Sequence, residues 1–356
     1  MNQPSKPARV LIVDDSSLMR NLLTAVLADD PEIEVVGTAS DPFVARDRIK
    51  ELNPDVITLD VEMPRMDGVT FLRKIMALRP TPVVMVSSLT QAGADITLEA
   101  LEIGAVDFVA KPVADITHAM EVLSAEICSK VKNAARTRVK ARKEIAEKRT
   151  ASRKRVSDPS SKLIAIGAST GGVEALKSLL MDFIPDGPPI LITQHMPERF
   201  TAAFASRLNR ECPMRVFEAT HGQRVEPGAA YIAPGNRHLE LMRDGTHYAC
   251  RLTDDAPVSG HRPSVDVLFR SIARIAGPRT VGVILTGMGK DGAEGMLELR
   301  NAQAVTLGQD ESTSLVYGMP RVAFDRGAVM QQHPLNEMAD AILDACGIEH
   351  KAAAHA

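Results

Sequence analysis

The chain has 356 residues, 45% apolar and 24% charged, with a formal net charge of −3. Those totals fit soluble globular protein of two or three domains with no low-complexity block in the main body. The apolar run in "MNQPSKPARVLIVDD" is too short for a signal peptide or membrane span. Cys128, Cys212, Cys250 and Cys346 form no CxxC pair and read as reduced thiols of a cytoplasmic protein.

Residues 8–125 alternate short apolar strands with amphipathic helices. "RVLIVDD", "EVVGTAS", "DVITLDVEMP", "TPVVMVSS" and "DFVAKP" are five strand candidates, with "SLMRNLLTAVLAD" and "DPFVARDRIKEL" as helices between the first of them. That alternation predicts an α/β domain with a doubly wound parallel sheet. From residue 126 to 160 the sequence predicts a linker, part helical and part flexible. Between Lys130 and Arg155 it carries twelve Lys and Arg against Glu144 and Glu147, a net of +10, with few large apolar residues. A solvated tether and a phosphate-binding nucleic-acid tail are both compatible with such a run.

A second α/β pattern fills residues 161–350. Its strand candidates are "KLIAIGAS", "PPILITQH", "AAYIAPG", "TVGVILTG" and "QAVTLGQ". Its helix candidates are "GGVEALKSLLMDF", "RFTAAFASRLNR", "SVDVLFRSIARIA" and "GAEGMLELRN". Residues 351–356 are a short tail.

In the first domain Asp14 and Asp15 follow strand one and Asp60 ends strand three. The carboxyl ends of parallel strands share one edge, so these acids meet there. Clustered carboxylates need a cation, and a hard oxygen set with open positions suits Mg²⁺. Ser87 and Lys111 end strands four and five and are placed to hold phosphoryl oxygens on Asp60. The run "VLIVDD", "LDVEMPRMDG", "VMVSS", "FVAKP" resembles the receiver domains of two-component response regulators. The resemblance implies a flavodoxin-like fold and a phosphoryl group accepted by Asp60 from a histidine kinase. It also implies Mg²⁺ held by Asp14, Asp15, Asp60 and the Glu62 backbone, with Ser87, Lys111 and Phe108 as the switch. Ser87 stands where Thr is frequent and Phe108 where Tyr is frequent.

In the second domain "GASTGG" follows an apolar strand. It breaks the dinucleotide fingerprint, because Ser169 occupies the central glycine position, and no Walker-type GK[ST] loop occurs. It does contain GxSxG, Gly167 to Gly171, on a strand-to-helix turn that could expose a nucleophilic hydroxyl. Helix capping explains the same residues equally well. His195 ends the next strand and Asp291 lies in the glycine loop after "TVGVILTG", so a serine, a base and an orienting acid converge on one rim. His221, His238, His247 and His261 are the competing histidines. The segment "GHRPSVDVLF" reads as a helix start and a candidate substrate wall, with Arg262 placed to meet acidic substrate groups.

The order Ser–His–Asp differs from that of the α/β-hydrolases. The segments "AIGASTGG", "QHMP", "YIAPG", "GHRPSVDVLF", "VILTGMGKDGAEGM" and "GMP" instead resemble the CheB family of chemotaxis protein-glutamate methylesterases. The resemblance implies hydrolysis of γ-glutamyl methyl esters on methyl-accepting chemotaxis receptors, with Ser169 as nucleophile, His195 as base and Asp291 as its orienter. Backbone N–H groups of Thr170 and Met288 would hold the oxyanion, without a metal, and glutamine deamidation by the same route is permitted. The implied phosphodonor is the chemotaxis histidine kinase. The protein would work at receptor arrays without inserting in the membrane and without binding nucleic acid. A receiver lying over the catalytic rim would exclude a bulky substrate until Asp60 is phosphorylated, so deleting residues 1–150 should raise basal activity. The competing readings are a DNA-binding response regulator, which needs a helix-turn-helix, and a catalytically silent α/β binding module.

Overall fold

The structure is a computed structural model that describes residues 6–88, 90–111, 116–137 and 162–348. It divides into two compact units, each described by itself.

The first unit runs β1 (Ala8–Val13), α1 (Ser17–Ala28), β2 (Ile33–Ala39), α2 (Pro42–Leu52), β3 (Val56–Asp60), α3 (Gly68–Leu78), β4 (Val83–Ser87), α4 (Gln91–Ile103), β5 (Asp107–Ala110) and α5 (Ile116–Arg136). The strands form one parallel sheet in the order β2-β1-β3-β4-β5. β3 and β4 are buried along their whole length, as strands covered on both faces must be. Helix starts follow short polar side chains: Ser16, Asp41, Asp67 and Thr90 each accept a backbone N–H of the first turn.

The linker expected from residue 126 begins inside this unit, because α5 continues to Arg136. Ile127, Val131 and Ala134 are fully buried at helical spacing. The basic residues among them are paired: Lys130 with Asp107 and Glu126, Lys132 with Asp30 and Glu32, Arg136 with Glu32. A local charge count hides such a helix, since its neutralising acids lie elsewhere in the chain. Residues 138–161, the rest of the basic stretch, are outside the described residues.

The second unit runs β6 (Leu163–Ala168), α6 (Gly172–Met181), β7 (Ile190–Gln194), α7 (Glu198–Glu211), β8 (Arg215–Glu218), β9 (Ala229–Ile232), β10 (His238–Asp244) and β11 (His247–Thr253). It continues with α8 (Val265–Ile275), β12 (Thr280–Ile284), α9 (Ala293–Asn301), β13 (Val305–Gln309), α10 (Met319–Asp325), β14 (Gln331–His333) and α11 (Leu335–Ala345). Seven parallel strands are ordered β14-β13-β12-β6-β7-β9-β8. Strand order reverses at β6: the chain first builds outward through β7, then returns to lay β12 on the other side. The crevice beyond the carboxyl ends of β12, β6 and β7 is therefore where a ligand is expected.

The β10–β11 hairpin stands apart from that sheet as an antiparallel pair joined through Gly245 and Thr246. Gly245 has φ +58°, the left-handed value that a two-residue turn with glycine first demands. The hairpin packs on α8, whose Leu268, Phe269 and Ile272 are buried, and Ser271 Oγ accepts the Leu241 N–H across the contact at 2.9 Å.

Candidate active site and phosphoacceptor site

Ser169, His195 and Asp291 meet at the crevice. Ala168 and Gln194 pair in the β6–β7 register, and His195 N–H donates to Ala168 O at 3.1 Å. Ser169 and His195 are thus the next residues along adjacent strands, whose axes lie ~4.8 Å apart. From the other side Ser169 N–H donates to Thr286 O, just beyond β12, at 3.1 Å. Ser169 lies two residues ahead of the Gly171 cap of α6, where the helix dipole favours developing negative charge.

Asp291 is 1% exposed and accepts hydrogen bonds on both oxygens. Oδ2 takes His195 Nε2 and Val265 N–H, each at 2.7 Å; Oδ1 takes Ser264 Oγ at 2.7 Å and Asp266 N–H at 3.1 Å. Burial pushes its pKa up. The His195 hydrogen bond and charge, the Ser264 hydroxyl and the Val265 N–H outweigh burial and hold it down at about 2. Asp291 is therefore an anion at neutral pH, and His195 carries its proton on Nε2. Nδ1 is left as the acceptor; it is buried and bonded to nothing among the described residues. With Nε2 given to Asp291 and Nδ1 unbonded, the serine–histidine bond is not made in this resting arrangement. Such bonds often tighten only with substrate bound.

The segment 258–266 serves this pair more closely than its sequence suggests. Val258 and His261 exchange backbone hydrogen bonds across a tight turn, which lays the His261 ring on His195 with centroids 3.8 Å apart and planes 10° apart. Ser264 occupies the N-cap of α8, yet its hydroxyl goes to Asp291 rather than capping the helix. His238 Nδ1 accepts the Ser264 N–H at 3.2 Å. Ser264 and His238, the latter one of the competing histidines, are thus tied to Asp291 in a way that sequence context does not announce: a serine before an amphipathic helix reads as a cap, and no local signal marks an acceptor 27 residues on. Arg262 needs correction as a substrate wall. Its Nε and Nη2 donate to Asn236 Oδ1 and its Nη1 to the carbonyls of Asp254 and Asp255. With every nitrogen so engaged, the side chain braces the loop. His221 and His247 are engaged with Leu252 and Arg224 on the hairpin side.

Gly167 lets α8 come this close. A Cβ there would lie 2.2 Å from Val265 Cγ1, so the helix N-terminus that feeds Asp291 rests directly on β6. Gly167→Ala is expected to cost about 1–3 kcal/mol, the usual range for overpacking, and to lower activity by moving the Val265 N–H. Urea unfolding beside ester hydrolysis measures both.

Thr170 and Met288 flank the serine and the loop after β12. Thr286 Oγ1 joins the two loops, donating to Thr170 O at 3.0 Å and accepting from Val316 N–H at 3.0 Å.

In the first unit ligand oxygens of Asp14, Asp15 and Asp60 all lie within 4.8 Å of one another. Lys111 Nζ is 2.8 Å from Asp60 Oδ2 and 3.1 Å from Asp14 Oδ2, so one ammonium is shared between the two buried acids. Burial is the main cause of an Asp60 pKa raised to about 6, with Asp14 adding repulsion and Lys111 opposing both. Three carboxylates this close, against one ammonium, fit a hard divalent cation. Glu62 N–H donates to Asp60 Oδ1 at 3.3 Å. Ser87 is fully buried and accepts from Thr97 Oγ1 at 2.7 Å, so its hydroxyl is bonded to α4. Phe108 is buried on β5 with the Lys130 ammonium 5.2 Å from its ring centre.

The CheB methylesterase family model matches residues 164–342, and the response regulator receiver domain model matches residues 10–122. A protein-glutamate methylesterase/protein-glutamine glutaminase of Geobacter metallireducens is 55% identical over 94% of both chains. One of Caulobacter vibrioides is 58% identical over 94% of this chain and 97% of its own. The crystal structure of the Thermotoga maritima CheB methylesterase catalytic domain is 33% identical, with a TM-score of 0.51, covering 51% of this chain and 97% of that one. Two α/β units in this order, the second with a serine, a histidine and an aspartate at one sheet edge, place the chain in the CheB methylesterase family, with a response regulator receiver domain at its N-terminal side.

Proposed function

We propose that the protein is a phosphorylation-regulated protein-glutamate methylesterase that also converts receptor glutamine to glutamate. The observation that carries this reading is the His195–Asp291 bond at 2.7 Å, which leaves Nδ1 directed away from the acid with Ser169 on the adjacent strand end. Ser169 Oγ attacks the ester carbonyl while its proton passes to Nδ1 of His195. The resulting imidazolium is stabilised by ionised Asp291. Thr170 and Met288 N–H groups receive the oxyanion, and loss of one such donor costs about 10²–10³ in rate in a serine protease. The imidazolium returns its proton to the departing methoxide, releasing methanol. Water then gives a proton to Nδ1 and its oxygen to the acyl carbon, freeing the serine. For a glutamine substrate the leaving group is ammonia.

The substrates are methylated glutamates of chemotaxis receptors, reached from the cytoplasm; among the described residues no helix is long and apolar enough to cross a membrane. Asp60 accepts a phosphoryl group from the chemotaxis histidine kinase. Asp14, Asp15, Asp60 and the Glu62 carbonyl would hold Mg²⁺, which neutralises phosphoryl charge when bound. Lys111, already on both buried acids, moves its charge onto the phosphoryl oxygens. Ser87 and Phe108 form the switch.

A phosphodonor with Mg²⁺ is expected to raise methanol release from methylated receptor membranes tenfold or more, which takes a bias of about 1.4 kcal/mol between receiver states. Asp60→Asn should abolish that rise and keep the basal rate. A response retained in Asp60→Asn would remove Asp60 as the acceptor.

A further inference from the structure

The peptide between Ser169 and Thr170 is gripped from its carbonyl side. Ser169 O accepts the Gly172 N–H at 2.7 Å and Gln194 Nε2 at 2.9 Å. The same amide nitrogen also donates to His195 O at 3.1 Å. Both partners are carbonyl oxygens, which only accept, so chemistry fixes which end of the amide is the NH₂. Gln194 closes β7 and is 3% exposed, so water does not compete for these bonds. The last glycine of "GASTGG" makes room for it: a Cβ at Gly172 would sit 2.0 Å from Gln194 Oε1.

Peptide planarity carries the argument to the oxyanion. Among the described residues the cis bond is Arg262–Pro263, so the 169–170 peptide is trans. In a trans peptide the N–H points opposite to the C=O. Whatever fixes the Ser169 carbonyl therefore aims the Thr170 N–H.

We propose that Gln194 is a positioning residue for ester hydrolysis, aiming the Thr170 N–H at the oxyanion and tying the base-bearing strand end to the nucleophile turn through one amide nitrogen. The inference rests on the esterase reading above. When Ser169 Oγ bonds to the carbonyl carbon, the π pair moves onto oxygen, and only then does the aim of that donor count fully. Loss of aim therefore lowers kcat and spares KM.

The full-length protein with Gln194→Met, which keeps length and loses the amide, is the first test. Gln194→Leu, which also removes the donor and adds no buried charge, is the second. Each is expected to lower kcat for methanol release by tenfold to a hundredfold with KM within twofold and Tm near wild type. Affinity for phenylboronic acid, whose adduct on serine carries the tetrahedral oxyanion geometry, should fall by a similar factor. Wild-type protein that releases no methanol would sink the esterase reading itself. Active wild type with unchanged kcat in both variants would overturn the role of Gln194 alone. So would equal losses in kcat, KM and Tm, or failure of both variants to fold, since each makes the residue a structural tie.

Discussion

Ser169→Ala is expected to cut methanol release from methylated receptor membranes by at least about 10⁴-fold, because serine hydrolases stripped of the nucleophile retain only binding and oxyanion stabilisation. Thermal unfolding should be little changed, since Ser169 holds its turn through the backbone, N–H to Thr286 O and carbonyl to Gly172 N–H and Gln194 Nε2, all of which alanine keeps. That combination separates a chemical role from capping of α6, for which loss of the hydroxyl would cost stability. Labelling with a fluorophosphonate sharpens the test. Ser264→Ala leaves the Ser169 hydroxyl in place while weakening the hold on Asp291, so labelling persists at a reduced rate. Activity of Ser169→Ala within a hundredfold of wild type would mean that another group attacks the ester.

Asp291→Asn is expected to lose about 10⁴ in kcat and also to destabilise the second unit. Each carboxylate oxygen accepts a backbone N–H, from Val265 on one side and Asp266 on the other. The NH₂ of asparagine must therefore face one of them whichever way the amide turns, at a cost of about 1–3 kcal/mol. If it turns toward His195, it also forces the proton onto Nδ1, the nitrogen that has to accept from Ser169; the same error costs about 10⁴ in a serine protease. The pH dependence gives a second signature. Native Asp291 titrates at about 2, below an unfolded value of 3.8, so its stabilisation is fully present above pH 4 and disappears as pH falls toward 2. The stability gap between wild type and Asp291→Asn should then narrow on acidification by on the order of 2 kcal/mol. Urea titrations at pH 7 and near pH 2.5 read it, and a gap independent of pH would contradict the assigned ionisation.

The residues most legible from sequence sit where an apolar strand stops. Asp60, Ser169 and His195 could be placed because a parallel strand reads as an unbroken apolar run and its carboxyl end is where ligands gather. Asp291 was reachable in the same way, as the first acid in the glycine loop after β12. Local reading failed where the partner was distant. Ser264 lies in a segment that reads only as a helix start, and Arg262 reads as meeting acidic substrate groups, because Asp291, Asn236 and the carbonyls of 254 and 255 come from other loops. The hairpin was legible in principle: "HLELMRDGTHYACRLT" alternates around a Gly-Thr turn. The edge strands β8 and β14, four and three residues long, carry too little apolar sequence to announce themselves.

The use of Nδ1 as the base has a geometric consequence. That nitrogen adjoins the ring carbon bonded to Cβ, so the imidazole can accept a proton only from something close to its own main chain. A neighbouring strand meets that requirement where a distant loop would not. Sliding β7 by one position along β6 would carry the imidazole about 3.3 Å from its mark and turn alternate side chains to the opposite face. The hydrogen-bond ladder between two buried strands thus acts as the ruler for proton transfer, and any insertion that resets it should silence the enzyme without touching a reactive atom.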